Sequence, residues 1–390
     1  MNTQTKENYF LSQPHQPFFL LGIINAIIMM LIFALSYKGI FILAIDLKIF
    51  HVYSLTFLVF MNLFTGFLFT TFPRFNQSDV ISKKYYINTF LSSIFASILF
   101  IIGSLISVEL SMLGMFSTFI TQLIIVAKLH TIYKSGHAPD KTDSFWILNA
   151  NYFALLGNLL FIVSLYLSVT LNAAINISFY LYLIFLAFSV GQRMIPFFSH
   201  SFAQKNKNFI KIIFTLFIAK TLFSSFEIKI AEIVVDLLLG IYMILEFKRW
   251  GLRPFESPSI LWVLHLALFW LPVAFLLSAF SLLGEIYLDT SFYFLNIHLL
   301  AIGFLTTLLI GFGTRVTLGH SGQAPHADRF TTAIFIFVQV VVIGRTLFSL
   351  NVAFGWGLGF LFDISFTLWL ILFLIWSIRY AKVLITGANI

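Results

Sequence analysis

Nine histidines and no cysteine set the chemistry open to this 390-residue chain. Disulfides, thiolate metal sites, iron–sulfur clusters and cysteine nucleophiles are excluded. Imidazole ligation and proton transfer remain. His51, His265 and His298 lie in strongly apolar segments, where an unpartnered imidazole costs free energy. His51 and His298 fall in segments expected to run in the same direction, and both lie toward one membrane surface. Counting residues from the segment ends puts their depths about 10 Å apart, a gap that helix tilt can absorb. Two neutral imidazoles on facing helices suit the two axial positions of a haem iron. A hydrogen-bonded core histidine explains either one alone. His15, His130, His137, His200 and His326 border polar connections and read as solvated loop residues.

His265 and His320 point to the opposite surface. His320 sits in Gly311-Phe-Gly-Thr-Arg-Val-Thr-Leu-Gly-His-Ser-Gly322, which lacks the lysine and spacing of a phosphate loop. Its glycines are expected to let the chain leave the helix and turn back. Arg193, in Gly191-Gln-Arg-Met-Ile-Pro-Phe-Phe198, and Arg315 fall on the same side. With His265 and His320 they outline an inner polar site, a second candidate position for a metal or for an anionic cofactor group. A positive helix-end cluster explains the arginines equally well.

Charges at membrane depth form a third set. Lys220 and Asp236 lie on successive segments at similar depth, roughly 11 Å from the outer end, and are expected to pair. Either the pair holds two short helices together, or, with Glu232, it marks a proton or ion path. Arg345 and Asp363 sit near the outer ends of the last two segments. Arg345 has three expected partners: Asp363, the outer solvent, or an anionic ligand group such as a haem propionate.

These residues need helices to carry them. Hydrophobic residues make up 60% of the chain and charged residues 10%, with a mean hydropathy of +0.98. A soluble globular protein carries about a quarter charged residues, so that class is excluded, and so are disorder and nucleic-acid binding. A bilayer core about 30 Å thick takes roughly 20 apolar residues per helix. That window finds twelve spans, near 17–36, 50–72, 86–108, 110–133, 146–169, 175–198, 209–226, 229–247, 259–280, 289–313, 330–350 and 355–378. The expected fold is all-α, one polytopic membrane domain over residues 1–390, with the lipid bilayer as its main partner. With both termini inside, 18 of the 23 Lys and Arg face the cytoplasm, Lys6 among them. Lys38, Lys48, Lys220, Lys229 and Arg345 are the others. The polar start of the chain lacks the pattern of a signal peptide. A multi-pass protein of the inner membrane is expected.

Several runs resemble the NnrS family, membrane haem–copper proteins linked to the bacterial response to nitric oxide. They are Pro17-Phe-Phe19, His51, Gly66-Phe-Leu68, Gly191 to Phe198, Leu261-Trp-Val-Leu-His265 with Trp270-Leu-Pro272, His298 with Gly303, and Thr314 to Gly322. The resemblance implies a b-type haem, with His51, His265, His298 and His320 as candidate metal ligands. It also places Arg345 where the family tends to carry an arginine. The family often reads His-x-His-Glu at the second span, whereas here Tyr53 and Ser54 follow His51. Tyrosine and serine are poor ligands for copper, so the implied copper site is weakened.

Three readings remain open. The first is a haem protein of this family, with nitric oxide as a small diatomic ligand or only as the signal. The second is a cofactor-free transporter or channel built on the buried charges. The third is a redox enzyme with an inner metal site at His265 and His320. Spans 7 and 8 carry no histidine, which disfavours a terminal oxidase. The sequence names neither an oligomeric state nor an electron donor.

Overall fold

A computed structural model describes residues 9–389. Lys6 and the rest of the polar start lie outside the described residues. Among these the chain is helical, without strands, and its long helices follow the twelve expected spans. They are α1 (His15–Tyr37), α2 (Leu47–Phe75), α3 (Lys83–Ile106), α4 (Val108–Ser135), α5 (Thr142–Ser164) and α6 (Ser168–Phe198). Then come α7 (Phe209–Ser225), α8 (Lys229–Arg249), α9 (Ser259–Tyr287), α10 (Leu295–His320), α11 (Arg329–Phe354) and α12 (Phe360–Thr386). Ten are long and apolar enough to cross a membrane. The other two are α7, with 17 residues, and α8, which carries Lys229, Glu232, Asp236 and Glu246. The protein is an all-α polytopic bundle.

The helices gather into two compact units. The first is built around α1–α4 and closed by Gly313–Pro325 and the chain from Phe373 onward. The second takes Asn149–Phe312 and His326–Leu372.

In the first unit, α1 and α2 touch closely at Gly66. A Cβ there would lie 2.9 Å from Phe18 Cβ and 3.2 Å from the His15 Cα, so only glycine lets the start of α1 settle on α2. Helix α2 begins where the Asp46 carboxylate accepts from the Lys48 and Ile49 amides, the usual satisfaction of free N–H groups at a helix start. Ser107 alone joins α3 to α4 and caps α4 by accepting from Leu110.

Three helices contain π-helical stretches: Ser54–Phe60 in α2, Ile177–Ile184 in α6 and Leu299–Thr306 in α10. In α10 the Thr306 and Thr307 hydroxyls reinforce the wider turn by bonding the carbonyls five residues back, of Ala301 and Ile302. Such turns are rare and concentrate at functional sites.

Two helix ends differ from the sequence reading. Helix α10 starts at Leu295, so His298 lies in its first turn rather than about nine residues in. The backbone before it turns through Tyr293 and Phe294, both at positive φ (41° and 58°), and a helix cannot continue through that conformation. At the other end the Gly-rich run stays helical to His320, and the chain turns at Gly322 (φ +78°). The glycines at 311, 313 and 319 do not break the helix, because its backbone bonds close without their side chains.

Candidate functional site

In the second unit, His298 is held by the turn that precedes it. Its Nδ1 lies 2.9 Å from the Phe294 carbonyl. With Nδ1–H donating to that carbonyl, Nε2 carries the lone pair, the arrangement that orients a histidine as a metal ligand. The turn is pinned in its own right. Arg345, buried on α11, donates to Ser349 Oγ (2.5 Å) and to the Tyr293 carbonyl (3.3 Å). Ser349 donates to the same carbonyl at 3.2 Å. The guanidinium also lies over the rings of Tyr293 and Phe348. Arg345 thus fixes the backbone of the residue immediately before the one that orients His298. One turn further along α10, the Trp270 ring lies over Gly303, and its Nε1 donates to Gln339 (2.7 Å).

In the first unit His51 is the fifth residue of α2, half-buried, with its ring 4.1 Å from Phe33 at 31°. His51 and His298 therefore both lie close to the start of their own helices, each just ahead of a π-helical stretch. The residues after His51 face backbone. Tyr53, fully buried, donates its hydroxyl to the Met115 carbonyl (3.1 Å), and Ser54 donates to the His51 carbonyl (3.2 Å).

The other histidines divide differently from the sequence reading. His15, read there as a loop residue, is 1% exposed, and its ring lies 4.7 Å from that of His320. Its burial follows from α1 starting at His15, ahead of the apolar window that located the span. The nearby Pro17-Phe-Phe19 run was the available signal, since proline favours a first helical turn. His265 lies in the second unit, 2% exposed, with Nε2 2.6 Å from Ser199 Oγ. Within the first unit, the imidazole found beside His320 is His15. Arg193 and Arg315 are half-buried near the ends of α6 and α10. His200 (φ 49°), His137 and His326 are exposed, as expected of loop residues, and His130 is half-buried.

The expected Lys220–Asp236 pair is formed, and it is larger than expected. Lys220 Nζ donates to Glu232 Oε1 (2.6 Å), Asp236 Oδ2 (2.7 Å) and Ser278 Oγ (3.4 Å). Ser224 donates to Glu232 Oε1 (2.6 Å), and Asn296 Nδ2 donates to Ser278 Oγ (3.1 Å). The ammonium also lies 5.5 Å from the Tyr180 ring centroid, within the π-helical stretch of α6. Four helices, α6 to α9, meet at this one cation, and α10 joins through Asn296 on Ser278.

Among the described residues no three His, Cys, Asp or Glu side chains come together as a metal-binding group. The donor set at the start of α2 does not fit copper, because the Tyr53 hydroxyl is already committed to a carbonyl. The donor set does fit an axial haem ligand at His298, whose second nitrogen is tied in the manner such ligands need. The family model described as NnrS protein matches residues 9–387 of the chain. No curated protein gives a match.

Proposed function

From the premise that the chain belongs to the NnrS family, we propose that it is a haem-binding protein of the bacterial inner membrane that serves the response to nitric oxide. His298, in the second unit, is the proposed iron ligand, and His51, in the first, is a further candidate ligand. The observation that carries the reading is the Nδ1 of His298 fixed 2.9 Å from the Phe294 carbonyl, on a turn held by Arg345 and Ser349. A histidine tied this way cannot swing its ring, so Nε2 has one direction to offer. Nearby, Trp270 packs against Gly303, and the Tyr293 and Phe348 rings meet edge to face. A bound haem supplies reversible one-electron chemistry and, at an open axial position, a site for a diatomic gas. Copper is not part of the proposal.

The test is the optical spectrum of the purified full-length protein together with haem extraction. Wild type is expected to show a Soret band and about one haem per chain. His298→Ala is expected to lose the haem or change its axial signature, and His51→Ala to change the low-spin spectrum. A Soret band unaltered in the double variant overturns the ligand assignment, and no haem in wild type overturns the function.

A further inference from the structure

The Lys220 cluster has an unbalanced charge count. Its ammonium spends all three N–H groups on Glu232, Asp236 and Ser278. Lys220 is therefore charged, and it faces two carboxyl groups. Lys220 and Asp236 are 0% exposed and Glu232 is 7% exposed. With both carboxyls ionised, the cluster would bury a net negative charge. An uncompensated buried charge is far more costly than a neutral polar group in the same place.

The two carboxyls are not equivalent. Glu232 sits one turn nearer the α7–α8 connection and keeps slight contact with solvent, and its Oε1 accepts from both Lys220 and Ser224. Asp236 is deeper. Its Oδ2 accepts from Lys220, while its Oδ1 is buried and accepts no hydrogen bond. An ionised carboxylate with one bare oxygen is the least stabilised anion of the pair. The titratable groups on the elements packed around Asp236 are Lys220 of α7, Glu232 of α8 itself and Tyr180 of α6. Helices α9 and α10 face the cluster with the neutral Ser278 and Asn296.

We propose that this cluster is a proton-binding site, in which Asp236 takes up and releases one proton while Lys220 and Glu232 stay paired beside it. The Asp236 carboxylate plus a proton from water gives the neutral carboxyl. The site does not depend on what His298 binds.

The test is infrared difference spectroscopy between acid and alkaline pH on the full-length protein in detergent, with and without exchange into heavy water. Wild type is expected to gain a protonated-carboxyl C=O band on acidification that shifts in heavy water. The band is expected to be absent in Asp236→Asn, and in Glu232→Gln to appear only at lower pH, because Lys220 then has Asp236 as its one carboxylate. No such band in wild type, or a band intact in Asp236→Asn, overturns the proposal. Thermal unfolding gives a second readout. Asp236→Asn is expected to match or exceed the alkaline-pH midpoint of wild type, because it removes the surplus charge. A lower midpoint makes Asp236 an obligatory counter-ion and overturns the proposal as well.

Discussion

A carbonyl that receives two donors from one neighbouring helix is a fixed point. The Tyr293 carbonyl accepts from Arg345 and Ser349, and the strained pair Tyr293–Phe294 is held in place by that grip. Arg345→Ala leaves the carbonyl with one donor and removes the cation above two rings. A loss of about 1–3 kcal/mol in unfolding stability is expected. Ser349→Ala costs less, and the double variant falls short of the sum, because each single variant already loses the Arg345–Ser349 hydrogen bond; a thermal-melt cycle over the four proteins checks this. Lys220→Met is harsher. It strands Glu232 and Asp236 together in the interior, a change expected to cost about 3–5 kcal/mol. Adding Asp236→Asn to it restores part of the melting temperature. The Lys220–Asp236 contact was legible in the sequence, since both lie at equal depth on adjoining segments. Arg345's hold on a backbone carbonyl could not be read there, and the burial of His15 left only the Pro17-Phe-Phe19 run as a sign. Both depend on where a turn falls, which side-chain type does not encode.

At the level of helices, hydropathy located every element but not its internal geometry. The π-helical stretches in α2, α6 and α10 have the same apolar composition as their α-helical flanks. A widened turn moves a hydrogen bond by one residue and leaves no mark on a window average. Their effect is on aim: residues before and after the stretch lose their ordinary α-helical phase. His51 and His298 both lie just before such a stretch. The start of α10 was misplaced for a related reason, since Tyr293 and Phe294 are as apolar as the helix they precede. Close helix approach gives a direct test. Gly66→Val puts a branched side chain against Phe18 and the His15 backbone. It is expected to lower the melting temperature and destabilise by about 1–3 kcal/mol or more. Gly319→Ala, where nothing lies within 4 Å of an added Cβ, is expected to melt like wild type.

For the whole molecule, the sparse charge of the sequence was enough to point to an all-α polytopic bundle, though ten of the twelve expected spans are long and apolar enough to cross a membrane. It did not show that they gather into two compact units, because contacts between distant segments leave no local pattern. One dimension of the second unit has a consequence for its surroundings. At 1.5 Å per residue, the 17 residues of α7 cover about 25 Å, less than the roughly 30 Å thickness of a lipid hydrocarbon layer. If α7 crosses the bilayer as the sequence predicts, lipids beside it pinch inward or admit headgroups toward it, at a cost that grows with each ångström of mismatch. Reconstitution in short-acyl-chain lipids is therefore expected to raise the thermal midpoint above that in long-chain lipids. A helix this short makes the preferred membrane thickness of the protein a property of α7.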